Sequence, residues 1–313
     1  MIGLAQNLSG KRILVTGAGG FVGRAVMAGV EQAGVIPIGL VRSACSVPAN
    51  LPWAWVTANL VTDPLDALLA DAAPEVVIHC AGRTTAPDTE DGRAALLADN
   101  LTATHRLIAA VSQMPKRPRV VVASSAAIWA PMAPDQTMID EHHPMQPMAS
   151  YGISKAAATR YALAEANRLG LDLAVAVLFN VIGPGQHRYM APQVFIDAIR
   201  ANPSTFLLQN ANVVRDWIDL ADVASALVSL SRLGGPTGMF NVATGTGRSL
   251  KDVIVEICTV GGWTPQFLPS RCSPPPGVSK SVGNPQKLMA ATGWVPRVDL
   301  SESLRRMIYH TGR

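Results

Sequence analysis

Apolar residues in the first half of the chain fall in short, nearly unbroken runs, and between those runs they recur at helical spacing. The runs Arg12–Thr16, Val35–Val41, Trp53–Thr57, Glu75–Cys80, Arg119–Ser124 and Asp172–Phe179 predict strands. The segments Phe21–Gln32, Pro64–Ala72, Gly92–Gln113 and Tyr151–Leu169 predict helices, the last ended by Gly170 as a C-cap. Strands alternating with helices imply βαβ units and right-handed crossovers. Strands apolar on both faces belong to a parallel sheet covered on both sides. After Phe179 the elements shorten around Gly183-Pro184-Gly185, Asn202-Pro203 and Pro274-Pro275-Pro276, while Met239–Ala243 reads as one more strand. The expected architecture is α/β: a doubly wound parallel sheet with a second, smaller C-terminal lobe. Residues 1–178 and 217–243 are expected to form the sheet domain and 179–216 with 244–313 the lobe.

Composition narrows the class of ligand. With 49% hydrophobic and 15% charged residues, 313 residues suffice for a large core and more than one lobe. The net charge of +4 comes from scattered Lys and Arg. The longest basic cluster, Lys116-Arg117-Pro118-Arg119, precedes an apolar run and reads as a solvated strand entry. No nucleic-acid surface is indicated, whereas an anionic small molecule suits the charge. Cys45, Cys80, Cys258 and Cys272 are far apart and form no CxxC pair, so free thiols are expected rather than disulfides or a metal site. The neighbouring His142 and His143 cannot both face one ion in regular structure and read as loop. The N-terminus lacks an apolar signal region and no apolar run spans a bilayer, so a soluble, cytoplasmic protein is expected.

The first strand runs directly into Thr16-Gly17-Ala18-Gly19-Gly20-Phe21-Val22-Gly23. Glycines at 17, 20 and 23 between a strand and a helix allow a tight turn, a backbone close to a pyrophosphate and close helix–strand packing. The helix N-terminus adds amide donors and positive dipole. Dinucleotide binding is the reading. The second strand ends in Val41-Arg42-Ser43, without the acid that usually takes the ribose hydroxyls of NAD. Arg42 and Ser43 instead suit a 2′-phosphate, so NADP is expected, with NAD as the alternative.

A later stretch, Ser150-Tyr151-Gly152-Ile153-Ser154-Lys155, opens an alanine-rich helix. Residues four apart share a helix face, so the Tyr151 phenol and the Lys155 ammonium can point into one site. A nearby cation favours the phenolate, whose ordinary pKa is about 10. The pair is either an acid/base device or a solvent-facing couple at a helix start.

Together with the glycine turn and the run "VVASSAAIW", this stretch resembles the extended short-chain dehydrogenase/reductase family, the NAD-dependent epimerase/dehydratases, over nearly the whole chain. The resemblance implies a Rossmann fold and a catalytic set of Ser125, Tyr151 and Lys155. Ser124 is the adjacent alternative, but the spacing to Trp129, where the family usually has tyrosine, favours Ser125. Tyr151 would exchange a proton with a substrate oxygen that Ser125 binds; Lys155 would lower the tyrosine pKa and hold the cofactor ribose. Cofactor contacts are implied at Gly17, Gly20, Phe21, Val22, Arg42, Ser43, Asn59, Leu60, Cys80, Ala81, Gly82, Asn100, Phe179 and Val181, besides Tyr151 and Lys155. Asn59 stands where the family usually has aspartate, and Asn100 matches the asparagine of an "N-x-x-x-T" helix. A homodimer built on the helices around Asn100–Gln113 and Tyr151–Leu169 is implied as well.

Two later stretches, "FNVIGPGQ" and "RDWIDLAD", resemble the nucleotide-sugar branch, and the full pattern, including "PMASYGISKA", "FNVIGPGQ" and "TGWVPRVDLSESL", looks closest to GDP-6-deoxy-4-keto-hexose reductases. Substrate contacts are implied at Thr84, Ser124, Ser125, Asn180, Gln186, Arg215 and Arg271. The arginine usual before Phe179 is replaced by Val177 and Leu178. Sugar dehydratases carry carboxyl groups after the serine; Ala126 and Ala127 stand there instead. The expected activity is reduction of a 4-keto nucleotide sugar, with a 4-epimerase holding NAD as the alternative and a non-catalytic NADP sensor as a distant third.

Overall fold

A computed structural model of the chain describes residues 10–35, 37–44, 47, 53–269 and 278–309. Its strands are β1 (Ile13–Thr16), β2 (Pro37–Val41), β3 (Ala54–Thr57), β4 (Val76–His79), β5 (Arg119–Ser125), β6 (Leu173–Leu178) and β7 (Asn180–Ile182). They continue with β8 (Thr205–Leu208), β9 (Val214–Asp219), β10 (Gly238–Val242), β11 (Gly247–Ser249), β12 (Gln266–Pro269) and β13 (Lys280–Ser281). The first helices are α1 (Phe21–Gln32), α2 (Asp66–Ala72), α3 (Glu90–Leu97), α4 (Ala103–Gln113) and α5 (Ser150–Leu169). The rest are α6 (Ala191–Ala201), α7 (Leu220–Leu230), α8 (Leu250–Gly261), α9 (Gln286–Thr292) and α10 (Leu300–Tyr309).

Seven strands form one sheet in the order β10-β6-β5-β4-β1-β2-β3. All its pairings are parallel. Every residue of β1, β4 and β6 is buried, as their apolar runs require of a sheet with helices on both faces. One apolar layer packs α1 and α7 against the sheet; the other packs α4 and α5 on the opposite face. The strand order reverses between β1 and β4, and the C-terminal ends of those strands open a crevice, the usual ligand position in such sheets.

The C-terminal segments build a second arrangement. In it β9 is flanked by antiparallel β11 and parallel β13, and β7 also runs parallel to it. A third apolar cluster gathers Ile182, Ile196, Trp217, Ile257 and Leu304. Asp216, on β9, is fully buried; its carboxylate accepts from Thr244 N and Oγ1 (2.9 and 2.7 Å) and Gly245 N (2.9 Å). That staple ties the lobe to the loop leaving β10 of the main sheet.

Two expectations change. The single helix expected over Gly92–Gln113 begins at Glu90, capped by Thr89, and is interrupted by a π-helical turn at Ala98–Thr102. Arg119 is not solvated: its side chain is fully buried and donates to Leu230 O and Pro236 O (both 2.6 Å) while pairing with Asp172. The cation thus satisfies the carbonyl end of α7, which linear charge patterning does not reveal. Among the described residues no helix is long and apolar enough to cross a membrane, and no group of three His, Cys, Asp or Glu is gathered for a metal.

Candidate active site

The first turn after β1 is shaped by what glycine allows. Gly17 has φ +65°, and a Cβ there would lie 2.7 Å from the Ala81 backbone, so the β1 and β4 exits touch. A Cβ on Gly23 would sit 2.1 Å from Gly17 O, which is how closely α1 approaches the turn. Gly20 caps α1 without a side chain, leaving the first-turn amides at Phe21 and Val22 and the helix dipole for an anion. A cleft of about 310 Å³ opens here. Gly17, Gly20, Arg42, Asn59, Leu60, Cys80, Ala81 and Gly82 line it, eight of the residues expected to hold a cofactor. The glycine cradle and the open helix terminus fit a dinucleotide pyrophosphate. Ser43 follows Arg42, exposed on the turn after β2. Asn59 Oδ1 accepts from Val61 N at 3.0 Å, and Arg106 of α4 donates to Leu60 O and Asp63 O, fixing the wall of the cleft.

Behind the cleft runs a buried hydrogen-bond chain. Thr104 Oγ1 donates to Asn100 O at 2.6 Å and therefore accepts from His79 Nε2, 3.1 Å away. That tautomer leaves His79 Nδ1 to accept from the Thr16 hydroxyl at 2.7 Å, one residue before the glycine turn. Complete burial drives the His79 pKa down to about 3, with the Lys155 charge adding to the effect, so the ring is neutral. The Asn100 amide donates to Arg83 O (2.9 Å) and Ser154 Oγ (2.8 Å), and its carbonyl accepts from Arg83 N (2.9 Å). Asn100 sits in the π-helical turn, and its main-chain carbonyl accepts the Thr104 hydroxyl from four residues on.

The expected catalytic residues converge beyond that chain. Ser125 ends β5, and its hydroxyl faces the Tyr151 phenol from the first turn of α5. The approach is close because Gly152 lacks a side chain: a Cβ there would lie 2.4 Å from Ala127 O. Burial raises the Tyr151 pKa above its ordinary value and the Ser125 hydroxyl pulls it back, so the phenol is protonated at neutral pH. Lys155 is buried, and its Nζ donates to Ala123 O at 2.6 Å. Burial lowers its pKa to about 8, while Cys80 acts in the opposite sense. The expectation that Lys155 depresses the tyrosine pKa is thus outweighed by burial in this arrangement. A Cβ on Gly82 would lie 2.6 Å from Asn100 Oδ1 and 3.9 Å from Lys155 Nζ, which places both side chains at the exit of β4. Cys80 is a free thiol whose pKa burial pushes up to about 12; Cys258 is also free, and Cys45 and Cys272 lie outside the described residues.

Residues expected to hold substrate are less uniformly placed. Ser124 does not face the site: it is buried, and its hydroxyl lies 2.6 Å from Thr159 Oγ1 on α5, because alternate strand residues point to opposite faces. Thr84 is exposed on the loop after Gly82. Phe179 is buried, its N–H donating to Val242 O, while Asn180 and Val181 lie half-buried on β7 beside Trp217 and Ile218 of β9. Gln186 donates to Val181 O at 3.2 Å, and its Oε1 is buried without a protein partner. Arg215 donates to Val214 O and Val278 O, and burial lowers its pKa. Arg271 lies outside the described residues.

Sequence reasoning missed Ser154, Arg83, Asp99 and Arg106. Ser154 sits inside the stretch that revealed Tyr151, but its bond to Asn100 spans distant segments. Arg83 and Asp99 form an ion pair at 2.8 Å that no local pattern announces.

Comparison with known proteins agrees with this geometry. The model of the NAD dependent epimerase/dehydratase family matches residues 13–243. UDP-glucose 4-epimerase of Mycolicibacterium smegmatis is 28% identical, over 95% of this chain and 97% of its own. GDP-6-deoxy-D-mannose reductase of Pseudomonas aeruginosa is 26% identical, over 95% of this chain and 96% of its own. The solved structure of RMD from Pseudomonas aeruginosa complexed with NADPH superposes with a TM-score of 0.77 at 26% identity, covering 95% of this chain and 97% of that one. With the glycine turn, the parallel sheet and the matched span in agreement, the chain belongs to the NAD-dependent epimerase/dehydratase family of extended short-chain dehydrogenases/reductases.

Proposed function

We propose that the protein is an NAD(P)H-dependent reductase of the C4 ketone of a nucleotide-linked 4-keto-6-deoxy-hexose. The observation that carries this reading is the Tyr151 phenol set against the Ser125 hydroxyl and kept protonated by burial. A reduction needs a proton delivered to the carbonyl oxygen as it gains charge, and a protonated phenol beside a hydroxyl donor is that device. When bound, a nicotinamide dinucleotide supplies the hydride. Gly17, Gly20 and the amides opening α1 would hold its pyrophosphate, Lys155 its nicotinamide ribose, and Arg42 with Ser43 the adenosine 2′ position, in favour of NADP. Ser125 orients the substrate oxygen, and Tyr151 protonates it. Lys155, anchored on Ala123 O, keeps a positive charge behind the phenol and makes its proton easier to release during the reaction.

On the substrate side, Asn180 and Gln186 face a sugar diphosphate in this reading, with Arg215 supplying positive charge. Residues 179–216 and 244–313 form the substrate lobe. Ala126 and Ala127 supply no carboxyl groups after the serine, which speaks against a dehydratase. The 28% identity to a UDP-glucose 4-epimerase supports a second reading, interconversion of two sugars on retained NAD. Nucleotide sugars and their 4-keto-6-deoxy forms, each offered with NADPH and NADH, separate the two. Stoichiometric loss of nicotinamide absorbance with a keto sugar supports the reductase. Interconversion of two sugars without added cofactor replaces it with the epimerase.

A further inference from the structure

Dinucleotide sites usually set their preference at the ribose 2′ position with one charged residue at the end of the second strand. Here three charges meet. Arg42 leaves β2, Arg83 follows Gly82 after β4, and Asp99 stands in the π-helical turn one residue before Asn100. Both guanidinium groups reach the same oxygen, Asp99 Oδ2: Arg42 Nη2 at 3.2 Å and Arg83 Nε at 2.8 Å. Asp99 and Arg42 line the same cleft, beside Leu60 and Ala103.

The two arms of this bridge differ in freedom. The Asn100 amide grips the backbone N–H and C=O of Arg83, and the Asp99 side chain is only 10% exposed. The Arg42 side chain is 59% exposed. Arg42 is therefore the more exposed arm of the bridge; the Arg83 side chain is 38% exposed, on a backbone that Asn100 holds, and lies closer to the carboxylate.

We propose that Asp99 is a specificity-determining residue that competes with the ribose 2′-phosphate for Arg42. A phosphate entering the cleft must draw Arg42 away from Asp99 and then lie near a retained carboxylate. An unphosphorylated ribose meets neither obstacle, and its hydroxyl can donate to the carboxylate. Arg42 favours the phosphorylated dinucleotide, Asp99 opposes it, and discrimination between the two is narrower than Arg42 alone would give. This rests on the reading, given above, that Arg42 faces the 2′ position.

The test is a binding titration of NADPH and of NADH, without sugar, read by nicotinamide fluorescence on the wild type, Asp99→Asn and Arg42→Gln. The amide of Asp99→Asn keeps the shape and removes the charge. It should raise the ratio of NADPH to NADH affinity by about ten-fold, the scale of one charge-assisted contact. Arg42→Gln alters an exposed side chain and should lower that ratio by a similar factor. A folded Asp99→Asn protein with an unchanged or lowered ratio, beside a lowered ratio in Arg42→Gln, overturns the role of Asp99. An unchanged ratio in Arg42→Gln removes Arg42 from the 2′ position and the proposal with it, even if Asp99→Asn does not fold. Because no sugar is present, failure of the ketoreductase reading leaves these ratios measurable.

Discussion

On the cofactor side of the cleft, Thr16, His79, Thr104, Asn100 and Ser154 bond one to the next in a continuous chain that reaches from the glycine turn to α5. On the side proposed for substrate, Gln186 keeps a buried oxygen without a protein partner, and Arg215 donates to the Val214 and Val278 carbonyls. The first arrangement satisfies its own polar groups and holds its shape whether or not a ligand is there. The second leaves hydrogen-bonding capacity for something else to use. In the proposed site one half would then serve as scaffold and the other as reader, and substitutions in the two should be felt in different measurements.

The largest stability effect should come from Asn100→Leu. It strands the N–H and C=O of Arg83, at about 1–3 kcal/mol for each buried group left unpaired, and takes one bond from the Ser154 hydroxyl, which still donates to Tyr151 O. A loss of roughly 3 kcal/mol or more in urea unfolding is expected, together with weakened cofactor binding. A loss below about 1 kcal/mol would dissolve the distinction between scaffold and reader.

A smaller effect follows from His79, whose folded pKa of about 3 lies below the ordinary value of 6.5. Between those values the unfolded chain takes up a proton that the folded chain refuses, so stability falls as pH drops below 6.5. The slope should approach about 1.4 kcal/mol per pH unit. Above pH 6.5 both states carry a neutral ring and the contribution to the slope vanishes. Urea unfolding between pH 6.5 and 5, before most carboxylates titrate, should show this slope in the wild type and its loss in His79→Gln. Parallel profiles for the two proteins would mean that His79 is charged or exposed.

On the reader side the prediction is a small number. Gln186→Met fills the same space; it gives up the part-buried bond to Val181 O but also removes the unpartnered oxygen, so stability should stay within about 1 kcal/mol of wild type. The KM for the sugar nucleotide should rise about ten-fold with kcat little changed, as expected when a binding contact common to ground and transition states is removed. A destabilised protein with an unchanged KM would place Gln186 in the scaffold instead.

The same division explains what the sequence disclosed. The glycine turn, the bounds of α1 and the parallel strands were legible because backbone conformation and two-sided burial dictate residue type locally. Tyr151 and Lys155 were legible because helical spacing places them on one face. The π-helical turn was not, since five residues of altered register do not disturb the apolar pattern of Gly92–Gln113. Arg119 read as solvated because the carbonyls it meets, Leu230 and Pro236, lie far along the chain. Ser124 and Ser125 are neighbours with equal chemistry, and only strand alternation turns one toward Thr159 and leaves the other facing Tyr151. The reader side lies largely on short strands and loops whose residue types the backbone does not constrain, so Asn180, Gln186 and Arg215 came from resemblance alone.

The account turns on Tyr151 as the proton donor to a sugar carbonyl. Its most direct test follows nicotinamide absorbance as NADPH meets a 4-keto-6-deoxy nucleotide sugar, in the wild type and in Tyr151→Phe, with sugar binding measured alongside. Phenylalanine keeps the ring and removes the proton. Turnover should fall by about 10²–10⁴-fold, the range for lost general acid catalysis, while sugar binding holds. Undiminished NADPH consumption in Tyr151→Phe would contradict it.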